Sequence, residues 1–430
     1  MSHRSRQLRV SSLARVEGEG ALRIVIDGDV VERAELNIYE PPRFFEAFLR
    51  GRSFTEPPDI TARICGICPV AYQTSACNAL EQACGAELDP PLARLRRLLY
   101  CGEWISSHAL HIHLLHLPDF LGCPDAVALA TGHRDLVEHG LAVKKSGNAL
   151  LELLGGRAIH PINVRVGGFH AVPDPADLAP LAEQLRHAQG FAVDTAQRVG
   201  ELDFPDLELE HDLLAVTAPD GYAIESGNIR VSTGTVFPAT EFPDHVAEHQ
   251  VPHSTALHAT FDGRRYLTGP LARYSLNSAA LPPPVRRLAE SIGLGDECRN
   301  PFRSILVRAV EVVFAIDEAL RLITEYEKPP RAAVPVTPRA GVGHGVSEAP
   351  RGLLYHRYEI GDDGLVRSAT IVPPTSQNQA AIEEDLRRVV AANLDLDDAA
   401  LTALCERTIR NYDPCISCAA HFLQLRMERR

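Results

Sequence analysis

The sequence predicts a mainly α-helical protein with peripheral β elements, an α+β fold whose two ends meet at a buried metal site. Long stretches with apolar residues at helical spacing predict the helical core. A strand–turn–strand pattern near the N-terminus and short β-like runs between residues 203 and 275 predict the β elements. Two Cys-x-x-Cys pairs lie at opposite ends of the 430 residues. Their separation implies that the chain folds as one unit that joins its ends.

Individual elements follow from the same patterns. Residues 21–38 predict a hairpin that turns at Asp27-Gly28, and Gly85 predicts the end of a helix that begins at the first cysteine pair. Other short strands are expected at 213–216, 228–232, 266–268, 353–360 and 367–372. Further helices are expected at about 43–51, 91–117, 135–154, 176–200, 302–326, 377–394 and 397–411. Residues 341–345 superficially resemble a nucleotide-binding loop but lack a strand–loop–helix setting, so we expect a mobile loop there.

The domain organisation predicted is a single unit over 1–430. Within it we expect a hairpin and helix region at 1–60, a helical core at 61–202 and an irregular β-rich insertion at 203–275. Residues 276–421 are expected to supply helices, a β segment and the second cysteine pair.

Composition excludes several classes of function. The formal net charge of −13 leaves no basic stripe for nucleic acid. No run of 18 or more apolar residues predicts a membrane span, and the Arg-rich start of the chain has no apolar signal segment. We therefore expect a cytoplasmic protein whose ten cysteines are thiols or metal ligands and not disulfides.

The cysteine pairs predict the chemistry. Cys65 and Cys68 form the first pair, and Cys415 and Cys418 form the second. Each pair places two thiolates within one turn of backbone, and four thiolates suit a soft transition metal or an iron–sulfur unit. A structural zinc site is the alternative, but zinc ribbons usually close their second pair within about 15–20 residues.

The two motifs Arg63-Ile64-Cys65-Gly66-Ile67-Cys68 and Asp413-Pro414-Cys415-Ile416-Ser417-Cys418, the latter followed by His421, resemble those of the large, catalytic subunit of nickel–iron hydrogenases. The resemblance runs from Arg15 to His421. It implies that family's fold, with a central helical bundle, and a Ni–Fe centre whose iron carries carbon monoxide and two cyanides. It also implies that Cys65 and Cys415 are terminal nickel ligands, that Cys68 and Cys418 bridge the two metals, and that H2 is cleaved heterolytically and reversibly.

The resemblance also implies a proton route and an arginine at the metal. In Leu13-Ala14-Arg15-Val16-Glu17-Gly18, Glu17 would take a proton from Cys415, the candidate base; the alternative is a solvated turn glutamate. In Glu348-Ala349-Pro350-Arg351-Gly352, Arg351 would lie over the open metal face, held by Asp119 and Asp413. Without the resemblance, Asp119 would be a helix-end cap and Arg351 a surface charge.

Other ligands follow in the same way. Thr375, with Pro374 and backbone near Arg351, would contact the cyanides. Glu46, the carbonyl of Ile371 and His421 would bind a second ion, magnesium or iron. A different metal site is conceivable on one helix, formed by four histidines; we favour packed polar side chains for His108, His111, His113 and His116.

The subgroup is suggested by departures from the common pattern. Tyr72 stands where the family often has histidine, and Gly155 to Pro161 reads Gly-Gly-Arg-Ala-Ile-His-Pro. With the short chain, this looks like the cytoplasmic, bidirectional, NADP-linked sulfhydrogenase type; NAD-linked and deazaflavin-linked relatives are the alternatives. A non-catalytic quinone-reductase-type relative would typically lack the four cysteines.

The resemblance further implies partners. The chain offers no nicotinamide or flavin site and no cysteine set for its own iron–sulfur relay, so electrons would leave through an iron–sulfur small subunit and a flavin-containing diaphorase pair. A maturation protease would remove residues 422–430, the C-terminal extension, after His421; the alternative is a relative that keeps a short tail.

Overall fold

The strands are short and belong to several small sheets. The computed structural model describes residues 5–208 and 210–420. The strands are β1 Ser5–Val10, β2 Gly20–Asp27, β3 Val30–Ile38, β4 Val164–Arg165, β5 Gly168–Phe169, β6 Asp212–Thr217, β7 Asn228–Val231, β8 Val236–Phe237, β9 Val246–Gln250, β10 Leu257–Phe261, β11 Tyr266–Leu267, β12 Gly341–Ala349, β13 Gly352–Ile360 and β14 Val366–Val372.

The helices carry the core. They are α1 Phe45–Leu49, α2 Pro57–Thr61, α3 Pro69–Cys84, α4 Pro90–Leu110, α5 Leu117–Phe120, α6 Ala126–Gly132, α7 Arg134–Gly155, α8 Pro175–Gly200, α9 Phe242–His245, α10 Pro270–Asn277, α11 Pro283–Ser291, α12 Ser304–Thr324, α13 Pro374–Ala391, α14 Asp398–Asn411 and α15 Ile416–Ala419. None of the described helices is long and apolar enough to cross a membrane.

Four long helices form the predicted central bundle. Helix α4 packs against α7 and α12, and α8 packs against α7 and α12. Helix α12 is buried along most of its length because nearly every position from Ser304 to Ala319 is apolar or paired. The close approach of α4 and α7 requires glycine, since a Cβ on Gly147 would lie 2.8 Å from the carbonyl oxygen of Gly102. Helix α3, which begins beside Cys68, packs against helix α4 of this bundle.

The N-terminal sheet confirms the predicted hairpin. Strands β1, β2 and β3 pair in order and antiparallel. Every second residue of β2 is buried, as alternation predicts for a sheet with one face on the core. The turn between β2 and β3 contains Gly28, whose φ of 59° suits a residue without a Cβ. Helix α13 covers this sheet.

The segment 341–345 is not a mobile loop, and that prediction is wrong. It begins β12, which pairs with β13 over Gly341–Ala349 and lies directly on α3. The glycines that suggested mobility serve close packing: a Cβ on Gly343 would lie 1.8 Å from the carbonyl oxygen of Ala79. Sequence alone does not distinguish a flexible glycine from one that a neighbouring helix requires.

The helix predicted over 91–117 is interrupted. Helix α4 ends at Leu110, and His111–His116 form one π-helical turn before α5. The wider turn brings the rings of His111 and His116 to 4.9 Å between centroids. Such turns are frequent at functional sites, and this one lies beside the C-terminal segment, because Nε2 of His111 is 2.8 Å from the carbonyl oxygen of Arg410.

The segment 203–275 contains β6 to β11 and the short helix α9. Its four-stranded sheet has the order β11-β6-β7-β8, and β9 pairs with β10 as a separate hairpin. The strands expected at 213–216, 228–232 and 266–268 are present as β6, β7 and β11. These strands bury a second apolar cluster together with Val346 of β12, Leu353 and Tyr355 of β13 and Val372 of β14.

Replacing Gly343 with alanine tests the close packing of β12 on α3. We expect the free energy of unfolding to fall by about 2 kcal/mol or more, because the new methyl group overlaps a backbone carbonyl that cannot move away. The matched control is Gly190→Ala in α8, where a Cβ meets nothing within 4 Å and should be neutral or slightly stabilising. Urea unfolding of the two variants gives the comparison; equal stabilities would contradict the packing.

Candidate metal centre

Four cysteine sulfurs meet at the centre of the molecule. Cys68 caps α3, whose first residue is Pro69, and Cys415 caps the short α15. The Sγ atoms of Cys65 and Cys415 are 3.4 Å apart, those of Cys68 and Cys418 are 3.7 Å apart, and Cys415 and Cys418 are 2.7 Å apart. All four sulfurs lie within 4.8 Å of one another and are buried. The predicted meeting of the two pairs is confirmed.

The N-terminal segment fastens the two cysteine segments together. The N–H of Ile416 donates to the carbonyl oxygen of Glu17 at 3.0 Å, which joins residues 17 and 415 in a short parallel bridge. The Arg43 guanidinium donates to the carbonyl of Ile64, beside the first pair, at 2.7 Å and to the carbonyl of Ser417, beside the second. The Arg43 side chain thus links the segment of the first cysteine pair to the segment of the second.

Arg351 supplies a buried positive charge beside the sulfurs. It lies in the turn between β12 and β13, whose carbonyls at 349 and 350 accept hydrogen bonds from the buried Arg273. Its Nε and Nη2 donate to the carbonyl and side chain of Asp413 at 2.8 and 3.1 Å. Burial alone would lower the pKa of Arg351, but Asp413 and then the cysteine sulfurs outweigh burial and raise it.

The donor set fits a metal centre. Burial raises the pKa of the Cys415 thiol, and the neighbouring sulfurs raise it further because thiolate charges repel one another. Several thiolates at this spacing therefore require more positive charge than one guanidinium provides. In addition, Nη1 of Arg351 and Oδ2 of Asp413 are buried without a hydrogen-bond partner in the described part of the chain. Such atoms normally have partners, so a further polar or charged group is expected at the site.

Glu17 lies against the second cysteine pair. Its Oε2 is 3.1 Å from Sγ of Cys415 and accepts from the N–H of Ser417 at 3.1 Å. The Ser417 hydroxyl in turn donates to Oε2 of Glu40 at 3.1 Å. Glu17 and Glu40 are both partly exposed. Two partly exposed carboxylates therefore lie next to the buried sulfur, and Ser417 contacts both of them, Glu17 through its N–H and Glu40 through its hydroxyl.

Thr375 stands where α13 begins, one residue after Pro374. Its hydroxyl oxygen accepts a hydrogen bond from the N–H of Cys415 at 3.0 Å, which leaves the hydroxyl proton available to a third group. The side chain is buried. The structure thus brings Thr375 to the cysteine site.

Asp119 does not hold Arg351, and that part of the prediction is corrected. Its oxygens pair instead with Arg410 at 2.7 and 2.9 Å and with Arg15 at 2.5 Å. Burial by itself raises the pKa of Asp119, but Arg410 and then Arg15 outweigh it and hold the pKa below its usual value. Arg15 has a φ of 59° and precedes Glu17 by two residues. Asp119 therefore fixes the turn that presents Glu17.

Glu46 and Glu248 form a second site with carboxylate groups. Oε1 of Glu46 accepts from the N–H of Ile371 at 2.7 Å, which joins α1 to β14. Burial raises the pKa of Glu46 to about 7. Burial and the charge of Glu46 raise the pKa of Glu248 to about 8, although Ser376 donates to it at 3.1 Å. His421 lies outside the described residues.

Several site residues were not predicted from the sequence. Both oxygens of the buried Glu103 accept from backbone, Oε2 from the N–H of Val70 at 2.6 Å and Oε1 from that of Ala71 at 3.1 Å, so Glu103 caps α3 just after Cys68. Arg15, Arg43, Arg273 and Glu248 were also missed. A single charged residue, even Arg15 inside the Leu13–Gly18 motif, does not reveal its role in the sequence, because its partners lie far along the chain.

His108, His111, His113 and His116 are buried polar side chains, which is the interpretation that the sequence analysis preferred to a metal site. His108 lies 3.0 Å from Glu311, and Nε2 of His116 is 2.9 Å from the side-chain oxygen of Asn411. Burial lowers the pKa of His108 and of His113 to about 4, so both are neutral near pH 7. Among the described residues, the groups with metal-binding geometry are the four cysteines and a separate set described below.

Comparison with known proteins decides the family. The family profile for nickel-dependent hydrogenases matches residues 43–138 and 258–421. The chain belongs to the nickel-dependent hydrogenases. It is 35% identical over 426 residues to the sulfhydrogenase 1 alpha subunit of Pyrococcus furiosus, covering 97% of this chain and 98% of the relative. It is 33% identical over 429 residues to the sulfhydrogenase 2 alpha subunit of the same organism, covering 97% and 100%.

The fold agrees with solved hydrogenases. The structure of an NAD+-reducing [NiFe]-hydrogenase in the H2-reduced state has a TM-score of 0.87 and 26% identity over 97% of this chain and 99% of that one. The Ni-Fe-Se hydrogenase from Desulfovibrio vulgaris Hildenborough has a TM-score of 0.79 and 22% identity over 97% and 100%, which supports the fold alone. The chain is a catalytic large subunit with the large-subunit fold, and its four cysteines have the geometry of a metal site.

Replacing Asp119 with asparagine tests the support of the Glu17 turn. We expect a loss of about 3 kcal/mol in the free energy of unfolding, because two guanidinium groups lose a buried partner. The contribution is present above pH ~4 and lost on acidification, since the folded-state pKa lies below the unfolded value. Asp125→Asn, an exposed helix cap where asparagine caps equally well, is the control in urea unfolding. A loss no larger than the control's would contradict the assignment.

Proposed function

We propose that this chain is the H2-converting subunit of a cytoplasmic, bidirectional hydrogenase of the sulfhydrogenase type, linked to NADP(H). The observation that carries the proposal is the 3.1 Å contact between the Glu17 carboxylate and Cys415 Sγ at the four-cysteine site. It combines a metal-binding thiolate with an acid–base group that leads outward. A purely structural metal site has no need of such a group.

The four cysteines would hold nickel and iron. Cys65 and Cys415 would be terminal nickel ligands, and Cys68 and Cys418 would bridge to an iron that carries carbon monoxide and two cyanides. Bound there, the centre supplies the electrophile at which H2 is cleaved heterolytically. Thr375, with its free hydroxyl proton, and backbone at Pro374 and Arg351 would hydrogen-bond the cyanides.

Proton movement is the task of the chain's own residues. Cys415 Sγ is the candidate base, and Glu17 takes the proton from it across 3.1 Å. Glu17 also accepts from the backbone N–H of Ser417, whose hydroxyl donates to Glu40 at 3.1 Å, so the proton would leave Glu17 for solvent or for Glu40 on the same side of the site. Both carboxylates are partly exposed, so they can exchange protons with solvent.

Arg351 and Asp413 would act on H2 electrostatically. The two hydrogen bonds between them fix the guanidinium plane, while the third nitrogen, Nη1, has no partner in the described residues. A fixed charge in a dry site polarises a ligand without reorganising. Asp119 acts one step further away, through Arg15.

A second ion would bind at Glu46. The Glu46 carboxylate, the carbonyl of Ile371 and His421 are the proposed protein ligands of magnesium or iron. The proximity of Glu248 supports a cation, because two half-buried carboxylates repel one another without one. Oxygen ligands favour magnesium, and an imidazole leaves iron as the alternative.

Electrons would leave through partners. The named relatives are alpha subunits, which supports a partner small subunit with iron–sulfur clusters. We propose in addition a flavin-containing diaphorase pair and a maturation protease that acts after His421. NAD+ is the competing acceptor, because a structurally similar hydrogenase is NAD+-reducing.

An infrared spectrum of the anaerobically purified complex tests the metal centre. We expect absorption bands of metal-bound carbon monoxide and cyanide, and we expect Cys418→Ser to abolish them together with bound nickel and iron. Cys123→Ser, at a half-buried cysteine outside the cluster, should keep both. A matured, metal-replete preparation without these bands would contradict the proposal.

Replacing Glu17 with glutamine tests the proton route. We expect H2 oxidation to fall by about 10²-fold or more, since the amide cannot relay a proton. Nickel, iron and the infrared bands should remain. Glu19→Gln, at the exposed glutamate two residues on, should keep the wild-type rate. A fully active Glu17→Gln complex would exclude the route through this carboxylate.

The electron acceptor is tested by H2-dependent reduction of NADP+ and NAD+ with the whole complex. We expect a higher kcat/KM for NADP+. A preference for NAD+ would move the protein to the NAD-linked alternative while leaving the metal centre intact.

A further inference from the structure

A second cluster of metal-ligand residues lies outside the hydrogenase site. His253, His258 and Glu383 each present one ligand atom, and these atoms all lie within 4.8 Å of one another. Nε2 of His253 is 2.7 Å from Oε1 of Glu383. In the described part of the chain, the four cysteines are the only other group with this geometry. The cluster is therefore a candidate site in its own right.

The ion pair between His253 and Glu383 does not account for the burial of His258 beside it. His258 is 3% exposed, and its Nε2 has no hydrogen-bond partner in the described residues. Buried polar nitrogens usually have a partner, and a cation would provide one here.

The cluster is held rigidly by three elements. His258 lies in β10 directly opposite His249 of β9, and their rings are 6.0 Å apart. The connecting loop that carries His253 is fixed to β3, because the N–H of Thr255 donates to the carbonyl of Ile38 at 2.8 Å. Glu383 of α13 accepts from the N–H of Leu36 at 2.9 Å. Rigid support of the ligands is what a metal site requires.

We propose that His253, His258 and Glu383 bind a divalent first-row transition-metal ion of the zinc class. Imidazole and carboxylate are ordinary zinc ligands, and three protein ligands leave a fourth position. His249 or a water molecule from the adjoining cavity of about 590 Å3, which His258 and Glu383 line, fills that position.

The ion would fasten the β9–β10 hairpin to α13. Glu383 lies eight residues after Thr375 on the same helix, a rise of about 12 Å. The site shares no ligand with the four cysteines. Its role is to position the helix whose first turn contacts Cys415, and its occupancy does not depend on the hydrogenase assignment.

Zinc uptake by the whole complex tests the proposal. After dialysis against chelator, the complex is titrated with Zn²⁺ alone, and bound zinc, nickel and iron are counted per chain by plasma mass spectrometry. We expect one equivalent of zinc in the wild type. His258→Gln and Glu383→Gln should weaken uptake by more than about tenfold, while nickel and iron stay unchanged.

His245→Gln is the matched control, because His245 lies at the start of the same hairpin but pairs with Asp262. It should take up zinc as the wild type does. Absorption of Co²⁺ bound in place of zinc gives the coordination geometry and should disappear in His258→Gln. No zinc uptake by the wild type, or equal uptake by His258→Gln and wild type, would overturn the proposal. Neither result bears on the four-cysteine centre, whose nickel and iron are counted in the same samples.

Discussion

The structure depends on stabilising four closely spaced sulfur atoms from opposite ends of the chain. Thiolates within 4.8 Å repel one another strongly in a buried site. Positive charge offsets this repulsion, from Arg351 on one side and from the metals that the family binds on the other. The surrounding protein can be understood as the framework that brings Arg351 and both cysteine pairs to one point and keeps water out.

That framework consists of charged side chains that act at a distance from the sulfurs. Arg43 contacts backbone beside both cysteine pairs, Arg273 holds the turn of Arg351, and Asp119 holds the turn of Glu17. Burying such groups is costly unless each is paired. Each of these three side chains forms hydrogen bonds or ion pairs, and the two arginines donate to backbone carbonyls. The site is therefore built from ion pairs that orient other residues, and their loss should affect geometry before chemistry.

Helix α13 joins several functional regions. Its first turn carries Thr375 beside Cys415, and Ser376 donates to Glu248 at the proposed second ion. Its middle carries Glu383, in contact with the N-terminal sheet and the β9–β10 hairpin. These positions lie on one continuous helix, so their relative spacing is fixed by the helix geometry. The hairpin, which appears peripheral from sequence, is in this way linked to the metal centre.

The sequence by itself determined the helical core, the meeting of the two cysteine pairs and the family. Cys-x-x-Cys spacing is a local property, so motifs of this kind can be recognised and interpreted from the sequence alone. Tertiary structure alone decided which charges meet. Asp119 was assigned to Arg351 but pairs with Arg410 and Arg15, the glycines of 341–345 pack on α3, and His258 lies beside Glu383. Those contacts join residues far apart in the chain, and their energies depend on burial, which no local pattern encodes.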